Sequence, residues 1–84
     1  MNITIQWLEN PAGILRIHSD DDGFGDNYIW CCTVERRGDT AMLHGAMTAP
    51  PVYCIDAIEA ELRKQGFRVA RWIRQSGKRV EVKL

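Results

Sequence analysis

Only one stretch of this 84-residue chain carries a helical period, and most of the rest alternates with a period of two. Val52, Ile55, Ile58 and Leu62 recur at three- and four-residue spacing, with Cys54 and Ala57 beside them and Asp56, Glu59, Arg63 and Lys64 on the other side. That stripe predicts one amphipathic helix. Pro50 and Pro51 precede it, where a missing N–H is tolerated because the first turn has no intrahelical acceptor to satisfy. Gly66 is the expected stop. The helix acids precede its bases, and Glu59 with Arg63 forms an i,i+4 pair, both of which suit the macrodipole.

The alternating segments predict strands. Ile3, Ile5 and Trp7 alternate with Thr4, Gln6 and Leu8, and the pattern resumes from Ile14 to His18 after Asn10-Pro11-Ala12-Gly13, which reads as a first hairpin. Residues 19–27 (SDDDGFGDN) read as a loop. Residues 28–36 place Tyr28, Trp30, Cys32 and Val34 on one side and Ile29, Cys31, Thr33 and Glu35 on the other, a strand with both faces partly covered. Arg37-Gly38-Asp39 turns the chain into a fourth strand over residues 40–47. A two-residue Ser76-Gly77 turn would then oppose Ile73 to Val80, Arg71 to Val82 and Val69 to Leu84, with Trp72 opposite Glu81 and Arg74 opposite Arg79. One face of this last hairpin is then apolar apart from Arg71. The other carries Arg68, Trp72, Arg74, Arg79, Glu81 and Lys83.

The resulting order, β-β-β-β-α-β-β over residues 1–84, predicts a single α+β domain. Its sheet is antiparallel or mixed, of about six strands, with one helix on one face. One helix cannot cover six strands, so the sheet must curl or offer part of a face to a partner.

A formal net charge of zero conceals a segregated pattern. From Met1 to Leu62 three arginines face ten acids, whereas from Arg63 to Leu84 eight bases face Glu81 alone. Such asymmetry directs attention to an acidic or polyanionic partner. On the expected hairpin the bases gather around Trp72, so Arg68, Trp72, Arg74, Arg79 and Lys83 form the candidate anion- or nucleic-acid-binding set: the cations neutralise phosphates and the indole stacks a base. The competing reading is a solvated face with the indole lying beneath arginine stems. No RNP, KH or helix-turn-helix pattern accompanies the set.

Other chemistry is weakly encoded. Cys31, Cys32 and Cys54 are odd in number, contain no CxxC, and lie away from ligand spacing to His18 or His44, so they read as reduced, mostly buried thiols and no metal is expected. An EF-hand alignment on Gly23 places Asp20 and Asp22 at ligand positions but puts His18 first and Ile29 last, with strands where helices are required, so a solvated acidic loop is the better reading. His44, Asp39, Cys54 and Glu35 supply reactive residue types without a linking motif, so no catalytic residue is assigned and the chain reads as non-enzymatic, with no cofactor. No apolar run approaches the roughly 18 residues that span a bilayer, and the expectation is a cytoplasmic chain without membrane contact.

The segment from Thr40 onward, TAMLHGAMTAPPVYCIDAIEAELRKQGFRVARWIRQ, resembles the central strand–loop–helix–strand of the GNAT acetyltransferase core. In that family the loop binds the acetyl-CoA pyrophosphate through backbone amides in an (Arg/Gln)-x-x-Gly-x-(Gly/Ala) pattern. The stretch here runs from His44 through Gly45 to Pro51, lacks the glycine pair, and loses two donors to proline. The resemblance implies a stripped-down fold, with a degenerate acyl-CoA-binding protein as one alternative. In size and style, through endings such as Gly66-Phe67-Arg68-Val69-Ala70-Arg71-Trp72-Ile73-Arg74, the chain also resembles small proteins carried by phages and prophages. The leading expectation is a small interaction module whose partner is a protein, itself or another, acting through a sheet face or free edge. Nucleic-acid binding by the final hairpin is the alternative.

Overall fold

A computed structural model of the chain describes residues 2–18, 28–46, 48–74 and 76–84. Strands β1 (Asn2–Glu9), β2 (Ala12–His18), β3 (Tyr28–Arg37) and β4 (Thr40–His44) are followed by a 3-10 turn (Val52–Cys54), helix α1 (Ile55–Lys64), and strands β5 (Val69–Ile73) and β6 (Arg79–Lys83). The six strands lie in one sheet in chain order. All neighbours are antiparallel except β4 and β5, which run parallel because α1 carries the chain back between them. The fold is therefore α+β, a mixed six-stranded sheet with one helix, as the alternation and the single helical stripe predict.

The strand phases put one apolar set under the helix. Ile3 pairs with Ile17 and Ile5 with Leu15, while Ile17 pairs in turn with Trp30 and Leu15 with Cys32. With Val34, Ala41 and Ala70 these residues meet Cys54, Ile58, Leu62 and Phe67 in the core. The opposite face of the sheet carries Gln6, Arg16, Thr33, Glu35, Arg71 and Glu81 and has no helix across it among the described residues.

The helix begins later than its apolar stripe suggests. Val52 and Ile55 were expected on the buried side, yet Val52 is 83% exposed and Ile55 is exposed too. The stripe that packs is Cys54, Ile58 and Leu62, an i, i+4, i+8 row, because the 3-10 turn after Pro51 changes the phase with which residues 52–54 enter α1. The fourth strand is likewise shorter than expected, ending at His44 before Gly45, whose φ is +78°.

The far end of α1 closes as the glycine predicts. Gly66 takes φ +92°, its N–H donates to Arg63 O at 3.0 Å, and the Phe67 N–H donates to Leu62 O at 3.0 Å. That pair of bonds is a Schellman closure, and it delivers the Phe67 ring to the core directly after the helix.

Both ends of the crossover are held by β3. At its entrance the Trp30 indole N–H donates to Thr48 O at 2.8 Å. At its exit the Arg36 guanidinium donates to Gln65 O, the C-cap carbonyl, at 2.9 Å, and lies 4.1 Å from the Phe67 ring centroid and 5.4 Å from that of Trp7. A cation there meets the negative end of the helix and two aromatic faces at once. Trp7 and Phe67 also touch, with centroids 6.2 Å apart.

The Trp7 ring reaches this position across Gly13, its partner on β2. A Cβ at Gly13 would sit 2.8 Å from Gln6 O and 2.9 Å from Trp7 Cε3, and the first of these is backbone that cannot swing away. Gly13→Ala should therefore lower unfolding stability by about 1–3 kcal/mol, despite the roughly 0.4–1 kcal/mol that alanine gains through the unfolded chain. A urea midpoint shift at unchanged slope checks this; wild-type stability in the variant contradicts it.

Candidate functional site

The final hairpin forms with a register one residue away from the expected one. The observed pairs are Val69 with Lys83, Ala70 with Val82, Arg71 with Glu81, Trp72 with Val80 and Ile73 with Arg79. The chain reverses between Arg74 and Lys78, with the Arg74 N–H donating to Lys78 O at 2.9 Å and the Gly77 N–H to Arg74 O at 2.8 Å. Gly77, at φ +86°, allows this wider reversal in place of a two-residue Ser76-Gly77 turn.

The correction has an energetic reason. The expected register puts the indole among charges and Arg71 among valines, whereas the observed one gathers Ala70, Trp72, Val80 and Val82 on the helix side of the sheet. Burying part of a tryptophan in place of an arginine favours the observed pairing. In this register β5 turns over relative to the expected one while β6 keeps its valines together, at the cost of leaving Val69 and Ile73 among the charges of the open face.

The candidate residues are accordingly divided. Trp72 is half-buried and packs against the core. Arg79 and Lys83 are exposed on the open face of β6, where they flank Glu81. Arg68 and Arg74 are exposed just outside the two ends of β5. The indole is therefore not a stacking platform between Arg79 and Lys83. The residue that does join their face is Arg71, whose Nε donates to Glu81 Oε1 at 2.5 Å. Both side chains are about half exposed, so the pair is worth roughly 0–1 kcal/mol and mainly aligns the strands. The even phase shared by Ala70 and Trp72 is the sequence signal that would have identified Arg71 as outward.

Helix α1 runs closest to β1, where Ile3 shares a shallow surface depression with Ala57, Ala60, Glu61 and Lys64. On the same side of the sheet, Trp72, Val80, Val82 and Leu84 stay only partly covered. The hairpin is joined to the rest along β5, which pairs with β4 from Val69 to Arg71; at its base the Arg68 and Val69 N–H groups donate to Asp39 O at 2.8 and 3.3 Å, and the Leu84 N–H closes the hairpin on Arg68 O at 2.8 Å.

Other reactive groups lie elsewhere. His18 is buried on the open face, with Nε2 3.0 Å from Thr4 Oγ1, and its Nδ1 has no partner among the described residues. The three cysteines are free; burial, and secondarily Cys31, pushes the Cys32 thiol up to about 12, which keeps it protonated and inert at neutral pH. The acidic stretch at 19–27 considered for calcium lies outside the described residues. No described helix is long and apolar enough to cross a membrane. The segment resembling the GNAT core is built as β4, a loop with Pro50 and Pro51, the 3-10 turn, α1 and β5, and its two strands are adjacent. No family model, curated protein or solved structure matches this chain.

Glu35 is the open-face carboxylate with a shifted titration. Its hydrogen bond from Arg37 Nε at 2.8 Å, then the Arg37 charge and more weakly His44 at 3.7 Å, hold it below the usual glutamate value of 4.5. A carboxyl depressed in the folded state stabilises above its unfolded value and loses that contribution as pH falls through the folded one. Between pH 7 and pH 3 the urea midpoint of the wild-type chain should fall further than that of Glu35→Gln. Equal falls contradict the assignment.

Proposed function

We propose that this chain is a small, non-enzymatic protein-interaction module whose working surface is the β5–β6 hairpin. One observation carries the reading: the hairpin is incompletely covered on the helix side, where Trp72, Val80, Val82 and Leu84 stay partly exposed, and carries a charged row on the other. The outer edge of β6 is unpaired among the described residues. An apolar strip beside a free strand edge is the surface to which another chain adds by β-augmentation.

The division of the basic set weakens the nucleic-acid alternative, since the indole and the cations of β6 face opposite ways. The acyl-CoA alternative has the strand–loop–helix–strand order in its favour and Pro50 and Pro51 against it, because neither offers an N–H to a pyrophosphate.

A photo-crosslinking side chain placed at Arg79, in cells expressing the full chain, should yield a discrete protein adduct. The same group at Asp56, on the exposed side of α1, should yield none. Absence of adducts at both positions, or nucleic-acid adducts at Arg79, overturns the reading.

A further inference from the structure

We infer that the occupant of the β6 edge is a second copy of this chain, paired antiparallel with Val82 on the twofold axis. This rests on the hairpin being the working surface. Two backbone bonds fix which groups the edge offers: Lys78 O accepts from Arg74 and the Leu84 N–H donates to Arg68, so the even residues of β6 face β5. Alternation along an antiparallel strand then turns the N–H and C=O groups of Arg79, Glu81 and Lys83 outward. A closed pair of identical edges joins them about a twofold axis.

Only registers that oppose odd residues to odd residues use these groups, and three of them, centred on Val80, Glu81 and Val82, pair at least two of Arg79, Glu81 and Lys83. Centring on Glu81 sets Glu81 against Glu81 and Arg79 against Lys83, a like-charge contact at every position of the open face. Centring on Val80 pairs Arg79 with Glu81 but sets Val82 against Lys78 on the apolar side. Centring on Val82 sets Glu81 against Lys83 twice on the open face, and on the other side Val82 against Val82 and Val80 against Leu84 twice. That register alone satisfies both faces, and it makes one continuous apolar strip from the partly exposed residues of two hairpins. A chain of zero net charge meets its copy without overall repulsion. The other edge, β1, has no charge from Asn2 to Leu8 and favours no register.

The residue on the axis is found by single cysteines in a Cys31→Ser background, with Cys32 and Cys54 buried. A non-hydrogen-bonded antiparallel pair holds its Cα atoms about 4.5 Å apart, within disulfide range. Val82→Cys should oxidise to a covalent dimer of twice the chain mass, whereas Val80→Cys and Glu81→Cys should form no covalent dimer. By light scattering at roughly 0.1 mM, well above a micromolar Kd, the wild-type chain should be a dimer. Lys83→Glu, which sets carboxylates against Glu81, should be a monomer. A monomeric wild-type chain overturns the inference, as does a dimer that survives Lys83→Glu or crosslinks best at position 80 or 81. A monomer that still gives an Arg79 adduct with a different protein removes the second copy while leaving the interaction reading intact.

Discussion

The structure depends on the way β3 grips the crossover at both ends. Trp30 and Arg36 stand six residues apart on the same face of that strand, so the alternation that buries Cys32 and Val34 also aims these two donors at the helix side. One holds Thr48 before the helix and the other holds Gln65 after it. Neither bond is large, since a neutral hydrogen bond contributes about 1 kcal/mol and one to a charged group about 1.5–3 kcal/mol. Their importance is geometric: together they fix where a ten-residue helix lies on a sheet too wide for it.

With α1 fixed near β1, the remaining sheet follows. Phe67 is seated by the Schellman closure, Asp39 receives the next two amides, and β5 is thereby laid parallel to β4. What is left over is the hairpin, whose apolar side beyond Ala70 is only partly covered. The incomplete cover that makes the hairpin available is thus a direct result of the anchoring that makes the fold specific.

Much of this was legible in the sequence. The period-two stretches, the single helical stripe and Gly66 are local signals, and each produced the element it predicts. The errors came where a local pattern had two solutions. Arg68-Val69-Ala70-Arg71-Trp72-Ile73 alternates acceptably in either phase, and only the core that Ala70 and Trp72 help to close decides between them. Likewise Val52 and Ile55 are apolar at helical spacing, but Val52 lies in the 3-10 turn after Pro51 and Ile55 sits beside, not within, the packed row of Cys54, Ile58 and Leu62. The anchoring role of Arg36 was invisible because its partners, Gln65 and Phe67, lie about thirty residues away and meet it only after the crossover closes.

Native-state amide hydrogen exchange on Arg36→Met tests this most directly. Removing the guanidinium while keeping an apolar stem should release the exit of the crossover, so protection falls at Phe67, Ala70 and Val82 while it is retained at Leu15 and Cys32. Unchanged protection of β5 and β6, or an equal loss across all strands, would contradict the view that β3 holds the hairpin in place through Arg36.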